Sequence, residues 1–132
     1  MNREILFRGW NDKHNKWLYG YYVNSQGFSI IITENYEEEC TLENVLVNIK
    51  TVGQYTGLKD THGKDIYEGD IVSIGNNLKA VVIWFNGSFR FKDELSCKAT
   101  YFEDMGVMMR DYDVCIIGNI YDNPELLKGG DE

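Results

Sequence analysis

One stretch, Thr51 to Val72 (TVGQYTGLKDTHGKDIYEGDIV), constrains this chain more than any other, because glycines, acids and β-formers interleave there at spacings that fix a backbone path. The reading is strand, turn, strand. Gly53 and Gly57 bracket Gln54-Tyr55-Thr56, and Asp60-Thr61-His62-Gly63 has the composition of a turn that ends on glycine. Asp65-Ile66-Tyr67 then resumes an extended run into Glu68-Gly69-Asp70. Gly69 inside that run predicts a bulge or a close backbone approach, and the short carboxylate of Asp70 beside it suits bonding to nearby backbone N–H groups. Gly53 to Gly57 lacks the Gly-Lys-Ser/Thr ending of a phosphate loop and no helix is expected after it, so it reads as a turn.

The same stretch carries a resemblance. Thr51 to Val72 is similar, almost letter for letter, to the TVGQ-(Tyr/Phe)-TGLKD-x-x-GK-(Asp/Glu)-IYEGDIV signature of the YopX family of phage and prophage proteins. Ile116 to Leu127 resembles that family's closing IGNIYENPELL, and Phe7-Arg8-Gly9 with Trp17-Leu18-Tyr19-Gly20 resembles its opening hairpin. Thr61-His62 stands where a Lys-Asn pair is common, and the correspondence is weakest over Arg110 to Cys115. The resemblance implies a small bacterial or phage protein of mostly β fold. It brings no activity, so no catalytic residue carries over.

A chain of 132 residues is expected to form one compact unit without help from metals or disulfides. Its 43% hydrophobic and 14% aromatic content is that of a globular, strand-rich protein. Thirteen Lys and Arg against 21 Asp and Glu give a net charge of -8, a field that repels phosphate backbones and anionic membranes, and the basic residues are scattered singly. Duplex DNA and membranes are therefore not expected partners. Cys40, Cys97 and Cys115 are odd in number and widely spaced, which fits a reducing compartment. The apolar run near the N-terminus is too short for a signal peptide or span, so the expected location is the cytoplasm of a bacterial host.

In chain order, Ile5 to Arg8 and Trp17 to Val23 flank a polar loop and predict a β-hairpin. Tyr19, Tyr21 and Val23 alternate with Leu18, Gly20 and Tyr22, a pattern that allows both faces to be covered. A turn at Asn24 to Gly27 leads to a buried strand over Phe28 to Thr33. The most acidic window, Glu34 to Glu39, follows. A short helix from about Leu42 competes with a strand over Val45 to Ile49, and the β-branched residues favour the strand.

After the signature, Asp70 to Ile74, Lys79 to Phe85 and Ser88 to Lys92 predict an antiparallel meander, with Asn86-Gly87 as a type I′ turn. Glu103 to Gly106 reads as a turn, with Val107 to Arg110 and Asp113 to Ile117 pairing back onto the sheet. Asn123 as cap and Pro124 at the first helical position predict a terminal helical turn docked through Leu126 and Leu127, with Lys128 to Glu132 fraying. The expected fold is mainly β (a β-rich α+β chain): a small SH3-like barrel or strongly bent antiparallel sheet over 51–132, preceded by an N-terminal β-rich subdomain over 1–50.

Chemistry-bearing residues are few. Asp60, Asp65, Glu68 and Asp70 form the densest acidic set of the signature; two of them converging would serve glycoside hydrolysis or hold a divalent cation, whereas acids at turns more often bond backbone. His14 and His62 lie in polar loops without partners at zinc-ligand spacing, and the three cysteines adjoin strands, where cysteine is usually a small buried hydrophobe. No cofactor or metal is expected. Phe89-Arg90-Phe91-Lys92 has the alternation of a single-strand nucleic-acid platform and equally of a strand with one buried face.

The balance favours a non-catalytic protein-binding module directed at a host or phage protein, with Glu34, Glu37, Glu38, Glu39, Asp60, His62, Asp65, Glu68 and Asp70 as candidate contacts. A hydrolase using the signature carboxylates, or a single-stranded nucleic-acid binder, is the alternative. Self-association is compatible with either.

Overall fold

The computed structural model describes residues 3–33, 41–76, 78–93 and 100–127. Glu34, Glu37, Glu38 and Glu39, with Cys40, Cys97 and the expected fraying of 128–132, lie outside the described residues. The protein is mainly β, built from two antiparallel sheets. It divides into two units, Met1–Tyr55 and Thr56–Glu132.

In the first unit, strands β1 (Phe7–Asn11), β2 (Lys16–Ser25) and β3 (Phe28–Ile32) pair in sequence, and the start of β4 (Gly53–Lys59) adds to the other side of β1. The period-2 rule separates two faces. Phe7, Leu18, Tyr22 and Ile31 turn inward, where Leu18, Ile31 and Val47 form the core with Phe7, Tyr22 and Val52 packed around them. Tyr19, Tyr21 and Val23 point the other way and are exposed, while Trp17 on the same face is half-buried.

The strand expected over Val45 to Ile49 is replaced by a one-turn helix α1 (Leu42–Val45), a single bridge between Leu46 and Ile30, and a 3-10 turn at Ile49–Thr51. Hydrogen bonds, two local and one to β1, decide this. The Leu46 N–H closes the helix on Leu42 O, the Asn48 N–H donates to Trp10 O, and Asn48 Oδ1 accepts from the Lys50 N–H. Val45 and Val47 are buried as single plugs instead of extending a ladder.

In the second unit the later part of β4 lies beside β5 (Asp65–Tyr67). Next come β6 (Asp70–Ile74), β7 (Leu78–Phe85), β8 (Ser88–Asp93), β9 (Thr100–Asp104), helix α2 (Met105–Asp111) and β10 (Val114–Asn119). Their sheet has the order β10-β6-β7-β8-β9 and is antiparallel throughout. Its core is Ile66, Val72, Ile74, Ala80, Val82, Phe91, Met105 and Val114. The β7–β8 hairpin follows the Asn-Gly signal: Phe85 pairs with Ser88 across Asn86 at φ 50° and Gly87 at φ 83°, the two positive values a type I′ turn needs.

Four expectations are corrected here. Gly53 to Gly57 is not a turn: it lies within β4, with Tyr55 buried and its N–H bonded to Leu6 O. Gly69 is not a bulge. It is a corner at φ 94°, between β5 in one sheet and β6 in the other, and both its backbone groups are taken, N–H by Val82 O and C=O by the Ile120 N–H. Register shifts fall elsewhere: in β10, where Ile116 and Gly118 oppose the consecutive residues Val72 and Ile71, and between Arg90 and Lys92 of β8 where it pairs with β9.

Glu103 to Arg110 is not turn and strand, because the Asp104 carboxylate accepts from the Gly106 N–H and so caps α2. Finally, the described strands form no closed barrel; of the two forms expected, the antiparallel sheet is the one observed. The turn 60–64 bonds to β10 through Thr61 N–H to Val114 O and Ile116 N–H to Asp60 Oδ2, which takes up backbone groups that closure would need.

The chain ends its described part in a 3-10 turn, Pro124–Leu127, with Leu126 and Leu127 half-buried. Asn123 serves a different group from the one expected: its Oδ1 accepts from the Asn119 N–H at the end of β10.

Candidate functional site

The signature acids separate into two kinds. Asp60, 6% exposed, accepts from the His62 and Lys64 N–H groups through Oδ1 and from the Ile116 N–H through Oδ2, at 2.9–3.0 Å. Burial works to raise its pKa, but the three backbone donors and the nearby His62 outweigh it and hold the carboxyl below the ordinary 3.8. Asp70, 2% exposed, accepts from the Tyr67 N–H at 2.8 Å and so ties the two sides of the Glu68-Gly69 corner. Asp65 is exposed and ion-paired with Lys59, Glu68 is half-buried and His62 is exposed. Among the described residues, no three His, Cys, Asp or Glu side chains gather as a metal site. Phe91 of the aromatic-basic alternation is fully buried, while Phe89 meets Trp84 edge-to-face at 4.9 Å.

The outer face of the first sheet is aromatic and aliphatic. Register places Trp10 opposite Trp17, Arg8 opposite Tyr19, Tyr21 opposite Ile32 and Val23 opposite Ile30, all on this face, with Phe28 at its end. Arg8 anchors one side, its guanidinium 4.9 Å from the Trp17 ring centroid. Tyr19, Tyr21, Val23 and Phe28 remain 41–48% exposed. A contiguous set of large apolar side chains on paired strands is uncommon on a surface with no partner.

A cavity of about 350 Å³ lies in the same unit, between the β1–β2 turn and α1. Asn11 organises it. Its Nδ2 donates to Glu43 O and Leu46 O, and its Oδ1 accepts from the His14 N–H, so a residue 1% exposed locks the turn to the helix. A side chain at Gly9 would run into Val47, so glycine there lets the 45–48 segment lie against β1. Leu46 and Val47 contribute apolar wall, and Asp12, Lys13 and Glu43 line it with charge. The Lys13 ammonium is ion-paired with Glu43, and that hydrogen bond and charge hold the Glu43 carboxyl below 4.5. His14 Nε2 and Asn44 Oδ1, 2.8 Å apart, join turn to helix a second time.

None of the signature acids lines this cavity, and sequence reasoning did not find it. It depends on residues 30 to 35 positions apart, which no local pattern joins. The aromatic face was within reach: the alternation of β2, combined with the register set by the Gln26-Gly27 turn, puts Tyr19, Tyr21, Val23 and Phe28 on one side.

A family model described as YopX protein matches residues 6–128. No curated protein matches. Among solved structures, the crystal structure of protein EF1440 from Enterococcus faecalis is similar, with a TM-score of 0.54 at 23% identity over 96% of this chain and 99% of that one, which is a likeness of fold.

Proposed function

The chain belongs to the YopX family, and from that premise we propose that it is a non-catalytic protein-binding module of phage or prophage type, working in the bacterial cytoplasm. The observation that supports this reading is the exposed Tyr19, Tyr21, Val23 and Phe28 on the outer face of β2 and β3. Aromatic side chains on paired strands offer large contact area at low entropic cost, which is the composition of interface centres. The partner is a host or phage protein with an apolar centre and a basic rim, since the net charge of -8 attracts such a surface. Asp65 and Glu68, and the acids of the sequence at Glu34, Glu37, Glu38 and Glu39, add to that field, and exposed His62 is a further candidate contact. The same charge disfavours duplex DNA, for which no gel retardation is expected at physiological salt.

Affinity purification from a phage-carrying host, with the wild-type chain and with Tyr19→Ser/Tyr21→Ser/Phe28→Ser, tests the reading. A defined protein should co-purify, weaken as salt rises and be lost with the triple variant at unchanged melting temperature. Equal recovery by both chains would overturn it.

A further inference from the structure

The cavity beside α1 is the strongest unassigned feature of the molecule, at the lower end of the roughly 300–1,000 Å³ range of ligand pockets. Its lining residues combine Leu46 and Val47 with two acids, Asp12 and Glu43, and one base, Lys13. The formal balance is one negative charge beside an apolar wall. That combination suits an aliphatic stem ending in a cation. The chain itself displays the contact, because Lys13 Nζ sits on Glu43 Oε2 with the two side chains 51% and 66% exposed. An ion pair so exposed contributes little and exchanges readily.

We propose that this cavity receives a lysine side chain of the partner protein, its methylenes against Leu46 and Val47 and its ammonium between Glu43 and Asp12, with Lys13 as an internal placeholder that the incoming lysine displaces. This deepens the protein-binding reading and rests on it for the source of the lysine. The recognition is non-covalent, and it adds a specificity element that the aromatic face lacks: a charge-selective pocket that an uncharged side chain of equal length does not satisfy.

The test uses a small probe, so that its failure leaves the aromatic-face reading standing. The ¹⁵N-labelled full chain is titrated with Nα-acetyl-lysine methylamide and, separately, with the norleucine analogue, while amide shifts are followed. The lysine probe should move Asp12, Lys13, Glu43, Leu46 and Val47 in a saturable way, and the norleucine analogue should bind at least about fivefold more weakly.

Lys13→Ala, which removes the placeholder, should tighten lysine-probe binding by about threefold or more. Asp12→Asn/Glu43→Gln should weaken it about tenfold, and both variants keep exposed positions and the wild-type fold in the spectra. Raising salt should weaken the wild-type interaction. Equal response to both probes, no tightening in Lys13→Ala, or shifts confined to other residues would each overturn the proposal.

Discussion

Asp60 gathers three backbone N–H groups from two different elements onto one carboxylate, which links fold and protonation at this residue. Asp60→Asn keeps the shape but turns an amide toward donors, and should cost about 1–3 kcal/mol. The sign of the pH effect follows from the lowered pKa. Below 3.8 the unfolded chain binds the proton first, so the stabilisation is complete above that value and is lost as pH falls through the lower folded pKa. Urea midpoints of wild type and variant should therefore differ at neutral pH and converge in acid; a gap that persists or widens in acid would contradict the assignment. Gly69 makes a second residue-scale prediction. At φ 94° with both backbone groups bonded, Gly69→Val should cost about 1–3 kcal/mol, and an unchanged denaturation midpoint would refute the corner geometry.

Elements were legible where the signal was local. The Asp60–Gly63 turn closes through Gly63 N–H to Asp60 O, and Asn86-Gly87 sets the β7–β8 register, both as their residues indicate. What remained hidden depends on distant partners. Gly53 to Gly57 looks like a turn until β1 and β5 are available to flank it, and Glu68-Gly69 looks like a bulge until the two sides are seen to belong to different sheets. α2 was missed because its cap, Asp104, also suits a turn. Of the site, the signature acids were read as candidates for contact, yet two of the four carboxylates face backbone. The aromatic face and the cavity need register and tertiary packing. Within the β7–β8 hairpin the two aromatic ends differ: Phe91→Ala, fully buried, should cost about 3–5 kcal/mol. Trp84→Ala, 55% exposed with one edge contact, should cost about 0.5–1.5 kcal/mol, and chemical denaturation separates the two.

At the scale of the whole molecule, recognition in the proposed reading is divided between charge and apolar surface. On that reading a net charge of -8 would steer a basic partner over long range, and the outer face of β2 and β3 would supply the short-range contact. Among the described residues each unit has its own hydrophobic cluster, so changes to exposed side chains should leave the melting transition in place. The most direct measurement is photo-crosslinking in the host with benzoylphenylalanine at Tyr21, and at Tyr112 as an equally exposed aromatic of the second unit. One discrete protein adduct is expected from position 21, abolished by Tyr19→Ser/Phe28→Ser in the same chain. No adduct at position 21, or an equal adduct from position 112, would contradict the protein-binding reading.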